Sequence, residues 1–191
     1  MNYMENNVKK EKLAIFDLDG TLFDTSDVNY YAYKDALEQV GISLDYDFFV
    51  NQCMGKHYKD FLSGLVDDNE LEKVHNLKKH AYSRHLERAR ENKQLFELIR
   101  CIRVSYYIVI ATTASKKNTM ELLKTFGNDS LFDAIYTQDD FTRMKPDPQC
   151  FLIAMEQFGI SAENTVIFED SQVGIEAALK SGASVLKVQR F

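Results

Sequence analysis

Four stretches of this 191-residue chain carry side chains suited to one kind of chemistry. They are Asp17-Leu18-Asp19-Gly20-Thr21, the hydroxyl pair Thr112 and Thr113, Lys145, and Glu169-Asp170. Every functional group among them is an oxygen ligand or an ammonium. Carboxylates with no histidine or cysteine nearby suit a hard cation, and Mg²⁺ best when a phosphate shares its coordination. A lysine and hydroxyls supply donors for a trianionic group in transfer. Asp17 and Asp19 would share a face in an extended segment, but a chain leaving its strand breaks that alternation and can give them separate tasks. One carboxylate can bind metal and attack phosphorus while the other handles protons. Gly20 lets the backbone turn tightly between them and the next residues. Asp-x-Asp-Gly also opens calcium loops, yet the further ligands and terminal Glu of such a loop are missing.

These groups gain meaning from the elements that must position them. Five short apolar runs read as strands: Leu13-Ala14-Ile15-Phe16, residues 104–111, Ala134-Ile135-Tyr136, Thr165-Val166-Ile167-Phe168 and Val185-Leu186-Lys187-Val188. Most lack polar alternation, as in a parallel sheet buried on both faces by helices. Ser115 is placed to cap a helix burying Met120, Leu123 and Phe126, with Gly127 past its end. Asp147 is placed to cap the next, with Pro148 at its first position and Gly159 at its stop. Ser171 starts a third, ending near Gly182. Each group named above falls just beyond a strand or in the loop that follows, so parallel strands bring all of them to one end of the sheet. The expectation is an α/β fold, a Rossmann-like parallel sheet core, with one interruption.

That interruption follows the first strand and runs for about eighty residues with helical patterning and little strand character. Ala32, Ala36, Leu37 and Val40 make one apolar stripe; Phe61, Leu62 and Leu65 make another. The segment 70–100 is strongly charged and helical in pattern. Residues 1–23 and 101–191 therefore form the core, and 24–100 an inserted α-helical cap over the strand ends where open α/β sheets bind ligands. His75, His80 and His85 are spaced by five, which rules out the i,i+4 metal pair and predicts a solvated face.

Composition excludes other classes. At 45% hydrophobic and 27% charged, the chain is neither disordered nor collagenous. A net charge of −6 without a basic run argues against nucleic acid as partner. Three cysteines at scattered positions read as reduced thiols. A polar start without a leader's apolar core, and no apolar run of bilayer length, predict a cytoplasmic protein with no membrane partner.

The motifs also carry a resemblance. Asp17-Leu18-Asp19-Gly20-Thr21-Leu22 is similar to the first motif of the haloacid dehalogenase superfamily, and Ile108-Val109-Ile110-Ala111-Thr112 to the second. Lys145-Pro146-Asp147-Pro148 resembles the third, and Val166-Ile167-Phe168-Glu169-Asp170-Ser171 with Gly174 the fourth. Order and spacing agree from about residue 12 to 188, and the branch it looks closest to contains phosphoglycolate phosphatase and β-phosphoglucomutase. The resemblance implies a Mg²⁺-dependent phosphatase acting on a small phosphorylated metabolite such as a sugar phosphate. Asp17 would be the nucleophile forming an aspartyl-phosphate and would coordinate the metal. Asp19 would be general acid, then base, and a metal ligand through its main-chain carbonyl. Thr112 would hydrogen-bond the phosphoryl group, with Thr113 beside it. Lys145 would neutralise charge, Asp170 would bind Mg²⁺, and Glu169 would bind it directly or through water.

Departures from the pattern weigh the alternatives. Superfamily dehalogenases and phosphonate hydrolases lack an acid where Asp19 stands. Mutase-like members tend to have histidine where Asn29 stands, so a sugar phosphomutase with the same aspartyl-phosphate is the alternative and not the first expectation. A phospho-aspartate switch is a lesser one, since receiver domains place their metal-binding acids and phosphorylated Asp differently. In the cap, Met54-Gly55-Lys56-His57-Tyr58 falls where related caps carry a glycine-containing loop facing the site. Lys56 and His57 are the candidate substrate contacts there. Tyr30 and Tyr33 fall on one helical face and are expected to pack. An inserted cap makes a monomer sufficient for catalysis.

Overall fold

The structure is a computed structural model and describes residues 9–189 apart from Gly55 and His57. β1 (Lys12–Phe16) leads into a short strand, β2 (Phe23–Asp24), and into α1 (Ser26–Glu38). Next come α2 (Tyr46–Phe48), which runs into a π-helical turn at Phe49–Cys53, then α3 (Tyr58–Leu62) and α4 (Leu71–Tyr82). A 3-10 turn at Ser83–Arg88 delivers the chain to β3 (Arg90–Glu91) and α5 (Lys93–Ile102). The remainder alternates as β4 (Tyr106–Ala111), α6 (Lys116–Thr125), β5 (Ala134–Tyr136), α7 (Gln149–Phe158), β6 (Thr165–Glu169), α8 (Gln172–Lys180) and β7 (Ser184–Lys187).

Five strands form one parallel sheet in the order β5-β4-β1-β6-β7, which is the α/β fold expected. The chain builds outward from β1 to β5, then returns to the other side of β1, so the order reverses between β1 and β6. Ligands bind at such a reversal, beyond the strands' carboxyl ends. There the Asp17 amide donates to the Phe168 carbonyl at 3.0 Å, and Phe16 stacks on Phe168 with ring centroids 4.4 Å apart. This apolar bolt sets the register Phe16↔Phe168, which puts Asp17 level with Glu169.

Two apolar layers cover the sheet. One face packs Ala14, Phe16, Ile108, Ile110 and Phe168 against Phe96, Ile99, Leu122 and Leu123. The other packs Leu13, Ile15, Val109 and Ile167 against Phe151, Ala154, Met155, Ala177 and Ala178. A third cluster, Tyr30, Tyr33, Ala36, Leu37, Phe49, Phe61, Leu62 and Val74, is the interior of the cap helices. The two stripes read from the sequence meet in it.

Several local signals act as their chemistry predicts. Ser115 Oγ accepts from the Asn118 amide and Ser171 Oγ from the Gly174 amide, capping α6 and α8. Gly159 ends α7 in the left-handed region at φ 64°. Others differ. Pro148 is the N-cap of α7, not its first residue, and Asp147 instead accepts from the Gln149 amide at 3.0 Å. The second sheet strand starts at Tyr106, because a turn from Ser105 N to the Ile102 carbonyl leaves Val104 79% exposed. The segment 70–100 is not one helical run: the antiparallel ribbon β2–β3 interrupts it and closes the excursion from the sheet, with Asp24 and Arg90 paired across it. α5, which follows, packs Phe96 and Ile99 into the sheet's interior and not into the cap cluster.

Candidate active site

The site is assembled from residues at the end of β6 and just past β1, β4 and β6, and from Lys145 in the loop before α7. The Lys145 side chain is 4% exposed and spends all three N–H groups: on Asp17 Oδ1 at 2.6 Å, Glu169 Oε2 at 2.7 Å and the Ala111 carbonyl at 3.2 Å. Burial alone would depress this ammonium; the charges of Asp17 and Glu169 outweigh it and hold its pKa above the ordinary lysine value. Burial and the charge of Glu169 push Asp17 well above the usual carboxylate range, with Lys145 opposing.

Glu169 is fully engaged. Its second oxygen accepts from the Ser171 amide at 3.1 Å and the Ser171 hydroxyl at 2.7 Å. Gly174 is required beside it, because a Cβ there would overlap the Glu169 carboxyl. Thr21 donates to Asp170 Oδ1 at 3.0 Å. Gly20, at φ 92°, brings its backbone against the other Asp170 oxygen, where a Cβ would also collide.

Asp17, Glu169 and Asp170 each offer an oxygen within 4.8 Å of the others, all three residues being buried. Three carboxylates against one ammonium leave two negative charges uncompensated, the charge of a divalent cation. The all-oxygen donor set suits a hard ion, so these residues fit Mg²⁺.

Asp19 faces elsewhere. Its carboxylate accepts from the Thr25 hydroxyl, which also accepts from Asn29 Nδ2 at 3.2 Å. Burial raises its pKa from the ordinary value, with the Thr25 hydrogen bond opposing. Asp19 and Gly20 form part of the wall of a cavity of about 390 Å³ between the strand ends and the cap. Thr113 is also in that wall; Thr112 is 1% exposed, and its hydroxyl accepts from the Ala114 amide at 3.1 Å. Asp17, Lys145, Glu169 and Asp170 adjoin the cavity through the Asp17–Asp19 segment and are not in its wall. Of the cap candidates, Lys56 borders the cavity and is exposed, whereas His57 lies outside the described residues.

The sequence matches the haloacid dehalogenase-like hydrolase family over residues 14–188, nearly its whole length. The chain belongs to this family. A phosphorylated carbohydrates phosphatase from Thermotoga maritima is 28% identical over 88% of this chain and 81% of its own length. A fructose-1-phosphate phosphatase from Escherichia coli is 25% identical over 92% and 95%. The crystal structure of CbbY from Rhodobacter sphaeroides in complex with phosphate superposes with a TM-score of 0.82, covering 94% of this chain and 87% of that one, at 22% identity; it shows the shared fold. The chain is thus a hydrolase with the α/β core of its relatives, and no helix among the described residues is long and apolar enough to cross a membrane.

Sequence reasoning reached Lys56 on the cap's side of this site and missed Lys78 and His75. Lys78 on α4 is 9% exposed, lines the cavity, and lies 5.2 Å from the Tyr33 ring centroid and 4.7 Å from that of Tyr82. The signal was available: Val74, Lys78, Ala81 and Tyr82 recur at helical spacing, with a lysine where the stripe calls for an apolar residue. The histidines also depart from a solvated face. His75 stacks on Tyr58 at 3.7 Å and lines the cavity, and His85 pairs with Asp35 at 2.9 Å; His80 alone is exposed.

Proposed function

We propose that this hydrolase is a Mg²⁺-dependent phosphatase that cleaves small phosphorylated metabolites through an aspartyl-phosphate on Asp17. The observation that carries this is the buried group of Asp17, Lys145, Glu169 and Asp170 at the reversal point of the sheet. When bound, Mg²⁺ would offset the excess negative charge of the acids and draw charge from the phosphoryl oxygens. Asp17, Asp170 and the Asp19 main-chain carbonyl would hold it. Glu169, whose oxygens already accept from Lys145 and Ser171, would reach it through water.

The residues divide the work. An Asp17 oxygen attacks phosphorus, and the bond from phosphorus to the leaving oxygen breaks. Asp19 gives that oxygen its proton; its raised pKa keeps more of the acid form available. Water then attacks the phosphorus of the aspartyl-phosphate, Asp19 takes a proton from it, and Asp17 is regenerated. Lys145 holds Asp17 in place and neutralises charge on the phosphoryl group, with Thr112 and Thr113 as hydroxyl donors to its oxygens. Asn29 has no titratable group and hydrogen-bonds Thr25, which supports water, not a sugar hydroxyl, as acceptor.

The cap, proposed as residues 24–100, covers this chemistry and supplies the contacts to the leaving group, Lys56 and His57 included. A cytoplasmic setting and action as a monomer belong to the same proposal. They draw support from three unpaired cysteines and from a single chain that carries every group named.

The test is inorganic phosphate released from a panel of sugar phosphates, phospho-acids, nucleotides and p-nitrophenyl phosphate. Release should stop in EDTA, return with Mg²⁺, and fall by roughly 1,000-fold or more in a folded Asp17→Asn variant. Full turnover in chelator would remove the metal from the account, and substantial Asp17→Asn activity would remove the nucleophile.

A further inference from the structure

The chain leaves the core through a closed turn after β1 and comes back to the core beside that same turn. The Leu22 and Phe23 amides both donate to the Leu18 carbonyl at 3.0 Å, and the Gly20 amide donates to the Phe23 carbonyl at 2.7 Å. This turn presents two things to Asp170: the Thr21 hydroxyl, which donates to Oδ1, and the Gly20 backbone, which lies against Oδ2. The direction of the Asp170 carboxylate therefore depends on where the turn sits.

Asn92, between β3 and α5, grips the turn at successive carbonyls. Its main-chain amide donates to the Leu22 carbonyl at 2.9 Å, one rung beyond the Phe23↔Glu91 pair of the ribbon. Its side-chain Nδ2 donates to the Thr21 carbonyl at 3.2 Å. Its Oδ1 accepts from the Leu95 amide at 3.3 Å and so caps α5. The frame that carries Asn92 is fixed: Phe96 and Ile99 of α5 are buried against the sheet, and Glu91 accepts from Asn128, which in turn accepts from Arg100 of α5. The residue type matters. Aspartate or serine also caps a helix, but an amide alone caps with one atom and donates with the other.

We propose that Asn92 is a positioning residue for the metal site: by clamping the Thr21 and Leu22 carbonyls to the start of α5, it fixes the Thr21 hydroxyl on Asp170 and sets how tightly the acids take a divalent cation. The inference rests on the reading of Asp17, Glu169 and Asp170 as the Mg²⁺ site. Groups that orient a ligating carboxylate raise metal affinity, because a carboxylate already held in place needs less ordering when the ion arrives. Thr21 is fully buried, so its hydroxyl has little freedom once its own carbonyl is held. The point where the chain rejoins the core is thus linked to Asp170 by the hydrogen bonds from Asn92 to Thr21 and from Thr21 to Asp170.

The experiment is calorimetric titration of Mg²⁺ into the full-length protein, native and variant, which does not depend on turnover. Asn92→Asp and Asn92→Ser keep an oxygen to cap α5 and lose the donor to Thr21, so Tm should stay within about 4 °C of the native value. Mg²⁺ should nevertheless bind about five-fold or more weakly to both, and the neutral Asn92→Ser separates the lost donor from added charge. Thr21→Val should weaken Mg²⁺ binding by about ten-fold. Adding Asn92→Ser to it should weaken binding by less than about two-fold more, since both act through one hydrogen bond. Native affinity in both Asn92 variants, or full additivity with Thr21→Val, would overturn the inference. A native protein that takes up no Mg²⁺ would instead count against the metal reading. Hydrogen exchange of the Leu22 and Phe23 amides, followed without metal, then reads the clamp: exchange about ten-fold faster in Asn92→Ser supports it, and unchanged exchange overturns it.

Discussion

Two buried lysines, one in the core and one in the cap, face the same site in opposite electrical states. Lys145 has all three N–H groups on carboxylate or carbonyl oxygens, and its pKa is raised by Asp17 and Glu169 against the effect of burial. Lys78 lies beside the faces of Tyr33 and Tyr82; burial lowers its pKa to about 8, with the charge of Asp19 opposing and that of Lys79 adding to the drop. The core has arranged its own charges around a fixed chemical task. The cap keeps one buried charge without a direct ion pair among the described residues, which costs stability.

The contrast predicts mutational effects of opposite sign. Replacing Lys145 by Met leaves two buried carboxylates facing each other and should destabilise the metal-free protein by about 3–5 kcal/mol in urea unfolding. Replacing Lys78 by Met removes an uncompensated buried charge and should stabilise by about 1–3 kcal/mol at pH 7, seen as a higher Tm. Destabilisation by Lys78→Met would mean that the ammonium has a partner in the free protein and would dissolve the comparison.

The pH dependence sharpens this. The folded pKa of Lys78, about 8, lies below the ordinary 10.5, so between these values the unfolded chain binds the extra proton and stability rises with pH. The penalty is fully present below pH ~8 and gone above ~10.5, so the Lys78→Met advantage should shrink as Tm is followed from pH 7 to pH 10. Smallest of all is the ion pair across the β2–β3 ribbon. The Arg90 side chain is 68% exposed, and Arg90→Ala should cost under about 1 kcal/mol although the pair bridges β2 and β3.

The core was far easier to read from sequence than the cap, for a physical reason. Strands buried on both faces give continuous apolar runs, and parallel connectivity fixes which ends carry function. Asp17, Thr112, Glu169 and Asp170 could therefore be brought together before any coordinates. Ser115, Ser171 and Gly159 act locally and were equally plain. The ribbon of Phe23–Asp24 with Arg90–Glu91 could not be seen, since two residues per strand show no alternation. The roles of Thr21 on Asp170 and Thr25 on Asp19 are hydroxyl orientations that no pattern encodes. Lys78 was visible as a lysine in an apolar stripe, but its significance depends on α1 bringing Tyr33 over it. His75 was hidden similarly, its burial coming from Tyr58.

The central claim is that Asp17 accepts the phosphoryl group and Asp19 is needed to release it to water. The direct measurement is a stopped-flow trace of Asp19→Asn with p-nitrophenyl phosphate and Mg²⁺, followed by acid quench and peptide mass analysis. Nitrophenolate is a good leaving group and needs no acid, so the first step should proceed and the second should stall. The predicted result is a burst near one equivalent of nitrophenolate and a phosphoryl group on the peptide containing Asp17. Steady turnover without a burst and without a phosphorylated Asp17, or the phosphoryl group on another residue, would contradict the mechanism.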